Sequence, residues 1–370
     1  MPMLFSVPPL RFALSMPLLM ASMACVSPSN GQVQSAPPSE APARAVATAP
    51  AVPLPGRSTS TQVPAALKTQ LFDLWRTFPG KTGIAVRRID GDWSVSHRGD
   101  QYFPQQSVSK LWVALTLLDK VDQGKVSLDD KIRIGPNDLT LFHQPMAARV
   151  KREGEIVETV RSLLDQAITR SDNSANDALL RHAGGPDAVR DFIARNELGQ
   201  IRFGPGERLL QSQIAGIEWR QYMSEGRAFQ AERAKQSYEA RRKALNAYLE
   251  DPIDGASPDA ITGALSKLAR GDLLSPESTK LILDVMSRTR SGPKRLKGGV
   301  PTGWQFAHKT GTGQVLAPIS TGYNDIGIMT APDGTRYAVV VMLADTTAPI
   351  PKRMTLMQNV SRAVANTHRP

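Results

Sequence analysis

Three short clusters in this chain carry side chains suited to nucleophilic attack, proton relay and carboxylate recognition. Ser107-Val108-Ser109-Lys110 opens the apolar run LWVALTLLDKV, Leu111 to Val121. A segment apolar all round reads as a buried helix, which puts Ser107 at a helix amino terminus, where the macrodipole favours developing negative charge. Lys110 lies one turn on, on the same face, and can accept the hydroxyl proton if burial or neighbouring cations lower its pKa. Ser171-Asp172-Asn173, within ITRSDNSANDALL, follows a second helical segment; its hydroxyl can relay a proton and its amide can bind a carbonyl. Lys309-Thr310-Gly311, followed by Thr312, falls in a strand pattern over Trp304 to Thr312. A lysine among hydroxyls recognises a carboxylate, and glycine lets a substrate backbone approach the strand. Taken singly, each cluster is explained as well by a helix cap or a solvated lysine. Ser291-Gly292-Pro293-Lys294 even repeats the first spacing on a Pro-Gly loop.

The elements around these clusters define the scaffold that must position them. Leu67, Leu71, Leu74, Trp75 and Phe78 form one face of an amphipathic helix ended by Pro79-Gly80. Gly83 to Ile89 and Trp93 to His97 flank Asp90-Gly91 and predict a hairpin. The middle of the chain is helical: Ile156 to Thr169, Asp187 to Asn196, Pro258 to Arg270 and Pro276 to Arg288 join the Leu111 to Val121 helix. Strands return over Trp304 to Thr312, Tyr323 to Thr330 and Tyr337 to Ala344, and a last helix covers about Pro351 to Ala365. An isolated hairpin is marginal in water, so the early hairpin is expected to pair with the late strands. The expected fold is therefore α+β and two-lobed: an antiparallel sheet built from both chain ends with flanking helices, an all-helical lobe, and a ligand groove between them.

Composition narrows the function classes. The chain has 370 residues, 41% of them hydrophobic, enough for a sizeable core. One cysteine excludes an intramolecular disulfide and a thiolate cluster, and the five histidines are scattered without ligand spacing, so neither metal nor organic cofactor is expected. A net charge of +11 favours anionic partners, yet acids and bases are mixed throughout and no nucleic-acid-binding motif appears. Met1 to Ala24 reads as a secretory signal, with Arg11 before the apolar run Phe12 to Met20, and Cys25 follows where a bacterial lipoprotein is cleaved and acylated. Residues 25 to 63 are rich in Pro, Ala and Ser and read as an extended tether. The expected location is the bacterial periplasm or envelope, the chain being either released by simple cleavage near Ala24 or held by a lipid anchor at Cys25.

Together and in this order, S-x-x-K, S-D-N and K-T-G form the set shared by class A β-lactamases and penicillin-binding proteins. The chain resembles class A serine β-lactamases beyond the triplets, in FPQQSVSKLWVAL, ITRSDNSANDALLRHAGGPDAV, LARGDLLSPES, VPTGWQFAHKTGTG and IGIMTAPDGTRYAVVV, over nearly all of residues 64 to 366. The catalytic domain is placed at 64–368. The resemblance implies that Ser107 attacks a lactam carbonyl, Lys110 takes or relays its proton, and Ser171 passes it to the departing nitrogen. Backbone amides of Ser107 and Thr312 would form the oxyanion hole. Lys309, Thr310 and Thr312 would hold the substrate carboxylate beside Gly311, with Arg295 supporting it, and Asn173 would bind the side-chain amide. Asn324 stands where other members place that arginine.

The departure lies in the loop that supplies a glutamate to activate the deacylating water. In GERLLQSQIAGIEWR, the Arg208-Leu209 pair aligns so that Gln213 takes the glutamate's position. A glutamine cannot accept the proton of that water, and Glu207 and Glu218 are the alternatives on the same loop. An insertion follows at about 221–254, charged and helical, with Tyr238, Leu245, Tyr248 and Leu249 on one side. His143, in Leu139 to Met146, is placed at the groove rim. The leading reading is a monomeric serine β-lactamase. The others are a D,D-peptidase-like enzyme acting on peptidoglycan stem peptides, which Gln213 would favour, and a non-hydrolytic lactam-binding module.

Overall fold

The computed structural model of the protein describes residues 62–369 apart from residue 92. The signal sequence, Cys25 and all but the end of the tether lie outside the described residues. A five-stranded antiparallel sheet runs in the order Ser94–His97, Lys81–Arg88, Arg336–Ala344, Tyr323–Thr330, Gln305–Thr312. The early hairpin does join the late strands: Ile84 pairs with Val341 and Lys81 with Ala344. Tyr323–Thr330 and Arg336–Ala344 are almost wholly buried, because helices cover both faces of the sheet. That explains why Arg336–Ala344 reads as a continuous apolar run rather than as an alternating pattern.

On one face Leu67, Leu71, Met357 and Val360 from the two terminal helices, Ala65–Arg76 and Ile350–Asn366, pack against Val339, Val341 and Leu343. On the other, Val340 and Met342 meet a larger core containing Trp112, Leu115, Phe192 and Leu265. Trp112 and its neighbours belong to the helix Lys110–Asp122, whose residues 110–118 are all buried. Pro258–Arg270 and Pro276–Ser287 begin where expected, since Ser257 and Ser275 cap them through the amides of Ala260 and Ser278, with Pro at the first position.

One expected helix is shorter than its pattern. Ile156–Thr159 is a strand paired with Lys131–Ile134, and the helix occupies only Val160–Thr169. The β-branched residues of IVET favour the extended form, and the Thr159 hydroxyl then accepts the Ser162 amide and starts the helix. The insertion folds as two helices, Ala228–Ala234 and Tyr238–Glu250. Leu245 and Tyr248 are buried as its apolar side requires, but Tyr238 is half exposed, because it stands in the first turn just after the Ser237 cap.

Candidate active site

Ser107 lies in the short 3-10 turn Gln106–Ser109, which leads directly into Lys110–Asp122. The turn is held in an uncommon conformation. Gln106 has φ +54°, a region that side chains with a Cβ seldom adopt. Its amide donates to Asp254 Oδ2 at 2.8 Å, its side-chain Nε2 to the Tyr248 hydroxyl at 2.6 Å, and that hydroxyl to Asp254 Oδ1 at 2.8 Å. Asp254 is fully buried, and burial pushes its carboxyl up to about 6. Burial and the Asp254 charge likewise push the Tyr248 phenol well above its ordinary range, so it stays a hydrogen-bond donor.

Lys110 Nζ reaches Ser107 Oγ at 2.8 Å. The same ammonium forms a buried ion pair with Glu207 Oε1, both side chains being excluded from solvent. Glu207 begins the helix Glu207–Ala215, where its amide donates to Asp177 Oδ1 at 3.1 Å. Burial and the nearby Glu207 charge hold Asp177 above the usual carboxylate range. One turn on, Gln211 Nε2 touches Glu207 Oε2 at 3.3 Å and Gln106 Oε1 at 3.0 Å. Gln314 Nε2 in turn donates to the Gln211 carbonyl at 2.8 Å. A continuous polar chain therefore ties the carboxylate beside the serine to the strand end and to the insertion.

Across the groove, Lys309 Nζ donates to Ser171 Oγ at 2.9 Å and to the Thr310 carbonyl at 3.0 Å. Burial, with the charges of Lys110 and Arg295, pulls the Lys309 ammonium well below its usual range. Ser171 has φ +59°, which sets its side chain ahead of the helix Asn173–His182. Asp172 caps that helix through the Ala175 amide at 3.0 Å and also holds the Met146 amide at 2.8 Å. Asn173 Nδ2 donates to the Leu141 carbonyl at 2.9 Å. The Thr310 hydroxyl contacts Ser291 Oγ at 2.7 Å, and Arg295 donates to the carbonyls of Gly311 and Asn324 and to Thr312 Oγ1. Its guanidinium also lies 3.8 Å over the Tyr323 ring.

Ser107, Ser171, Asn173, Thr310, Thr312 and Arg295 thus border one groove of about 480 Å³, with Lys110 and Lys309 beneath it. His143 also lines the groove, and its Nε2 meets the Arg170 carbonyl at 2.8 Å. Gly311 serves a different purpose from the one expected: a Cβ there would lie 2.3 Å from the Gln105 carbonyl, so it admits the serine-bearing turn rather than a substrate. Asn324 braces the same turn, donating to the carbonyls of Pro104 and Gln105.

The expectation for Gln213 is overturned. It stands on the exposed side of its helix, because six residues beyond Glu207 is about 240° round an α-helix. Glu207 and Gln211, four apart, share the groove-facing side. Glu218 is 86% exposed and pairs weakly with Arg220. The spacing of Glu207 and Gln211 in ERLLQ was the available signal; alignment on Arg208-Leu209 misplaced it by six residues. Tyr248 and Asp254 had no such signal, since their role depends on where the insertion returns.

The sequence profile of the β-lactamase enzyme family matches residues 66–368. The chain is 30% identical to the extended-spectrum β-lactamase PER-1 of Pseudomonas aeruginosa, over 78% of this chain and 82% of that protein. It is 28% identical to β-lactamase VEB-1 of the same species, over 72% and 78%. Among solved structures, a β-lactamase from Chitinophaga pinensis superposes with a TM-score of 0.66 at 26% identity, covering 81% of this chain and 98% of that one. An ancestral class A β-lactamase gives 0.64 at 28% identity, covering 82% and 100%. The chain belongs to the β-lactamase enzyme family, among its class A serine members.

Proposed function

We propose that the protein hydrolyses β-lactams through an acyl-serine, with Ser107 as nucleophile and Glu207 as the base of deacylation. The observation that carries this is the buried contact series Ser107–Lys110–Glu207. Ser107 Oγ bonds to the lactam carbonyl carbon while its proton passes through Lys110 to Glu207. The oxyanion is held by the backbone amides of Ser107 and Thr312, each worth about 3 kcal/mol in such sites. The C–N bond then breaks as Ser171, joined to Lys309, gives its proton to the leaving nitrogen and takes in its place the one held by Glu207, returned through Lys110, which leaves Glu207 a carboxylate. Glu207 next takes a proton from a water whose oxygen attacks the ester carbonyl, and as the bond to Ser107 Oγ breaks that proton passes through Lys110 to Oγ, restoring the hydroxyl. Lys309, Thr310, Thr312 and Arg295 receive the carboxylate of the lactam nucleus, and Asn173 its acyl amide.

The stem-peptide reading drew its support from a glutamine in the base's position, where Glu207 meets Lys110 instead. One chain completes the groove, which favours a monomeric enzyme. The apolar run before Cys25 supports export to the bacterial envelope with a lipid anchor, tested by loss of fatty-acid labelling in a Cys25→Ala variant.

The functional test follows a chromogenic cephalosporin while intact mass is sampled. Sustained turnover without accumulated adduct is expected, and none with Ser107→Ala. Undiminished turnover by Ser107→Ala, or a single burst ending in a stable adduct on the unaltered protein, would overturn the proposal.

A further inference from the structure

The insertion does more than pack beside the active-site loop. Phe229, on the insertion helix Ala228–Ala234, is buried with Leu141, Ala215 and Met223 and meets the Phe142 ring edge-on at 5.1 Å. This anchor brings Gln230 and Arg233, one turn apart, into the lining of the groove that contains Ser107. Arg233 Nη2 then donates to the Val315 carbonyl at 2.7 Å, spanning from the insertion to the chain just past the lysine strand.

The electrostatics of this arginine are unbalanced. Burial and the adjacent Arg241 charge hold its guanidinium below its usual range. Among the described residues, no carboxylate forms an ion pair with Arg233 or Arg241, and Arg241 Nε is buried without a partner. A partly desolvated guanidinium pair without a counter-ion is unfavourable unless an anion arrives. Its planar fork suits a carboxylate. The anion is not the carboxylate of the lactam nucleus, which belongs to Lys309, Thr310 and Thr312. Val315 lies three residues beyond Thr312, up to about 10 Å along an extended chain. That separation is comparable with the distance from the nuclear carboxylate of a penicillin to a substituent on the α-carbon of its acyl group.

We propose that Arg233 forms an anion subsite for the acyl side chain, so that the enzyme favours β-lactams whose acyl substituent bears a carboxylate. The inference rests on the groove being a β-lactamase active site. Its test compares carbenicillin with benzylpenicillin, which differ by one side-chain carboxylate, on the full-length protein and on Arg233→Gln and Arg233→Lys. Expected is a fall of about tenfold in the ratio of kcat/KM for carbenicillin to that for benzylpenicillin in Arg233→Gln, the scale of one charge-assisted contact. Arg233→Lys should recover part of the preference. An arginine that only straps the insertion to Val315 would lower both substrates by the same factor, and an unchanged ratio would overturn the proposal. Hydrolysis of benzylpenicillin with that unchanged ratio would defeat the subsite alone, whereas hydrolysis of neither penicillin by the unaltered protein would defeat the proposed function with it.

Discussion

Lys110 and Lys309 are both buried at the groove, yet their surroundings are opposite in kind. Lys110 contacts the Ser107 hydroxyl and has its charge compensated by Glu207. Among the described residues, Lys309 donates to the Ser171 hydroxyl and the Thr310 carbonyl, and the charges of Lys110 and Arg295 outweigh those of Glu207 and Asp325 around it. A compensated lysine can pass a proton without a change in net charge. One with no paired carboxylate is primed for an anion, because an arriving carboxylate pairs with it and favours its charged form. The same residue type thus serves chemistry on one wall and recognition on the other, and the nearest carboxylate decides which.

The largest effect should come from removing that carboxylate. Glu207→Gln should slow deacylation by about 10²- to 10⁴-fold, with an acyl adduct on Ser107 accumulating in intact-mass spectra. Turnover at the unaltered rate would mean that the two lysines do not differ as described. Lys309→Ala should raise KM for lactams by about 10- to 100-fold while acyl adducts fail to accumulate, since a charge-assisted contact is lost from binding rather than from deacylation. KM for the unaltered enzyme should also rise with pH earlier than an ordinary lysine would dictate, because the ammonium is held low.

Smaller effects probe the polar chain behind the serine. Tyr248→Phe leaves Gln106 Nε2 and Asp254 Oδ1 without their shared partner. It should cost about 1–3 kcal/mol, read from the denaturant midpoint, and lower kcat more than it alters KM. Asp254 has a folded-state pKa raised from 3.8 to about 6, so between those values the native state binds more protons than the unfolded chain. Its contribution to stability is present below pH 3.8 and is lost as pH rises through 6. Asp254→Asn should flatten that part of the Tm profile. Gln213→Ala, at an exposed position, should change turnover by less than about twofold.

Most of the scaffold was legible because its signals are local. Leu111 to Val121 is apolar on every side and became the central buried helix, and Tyr323 to Thr330 matched its strand to the residue. The three triplets lie on such elements, so their placement followed from periodicity and order along the chain. Gln305–Thr312 was legible as a strand, but that it faces the serine turn closely enough to require glycine at 311 was not.

The region from Glu207 to Asp254 shows the limit. Here the chain runs on from Gln211 into two further helices, the first of which brings Gln230 and Arg233 to the groove, and at Asp254 it holds the Gln106 amide. The ordered motifs, through their resemblance to class A β-lactamases, implied that a serine, two lysines and a hydroxyl relay would serve acyl transfer. Only the tertiary structure decided that Glu207 rather than Gln213 meets Lys110, that Tyr248 supports the turn before the serine, and that Arg233 reaches the groove. Those contacts join residues up to about 140 positions apart in sequence, and an ion pair or hydrogen bond depends on separation in space, which local patterns do not encode.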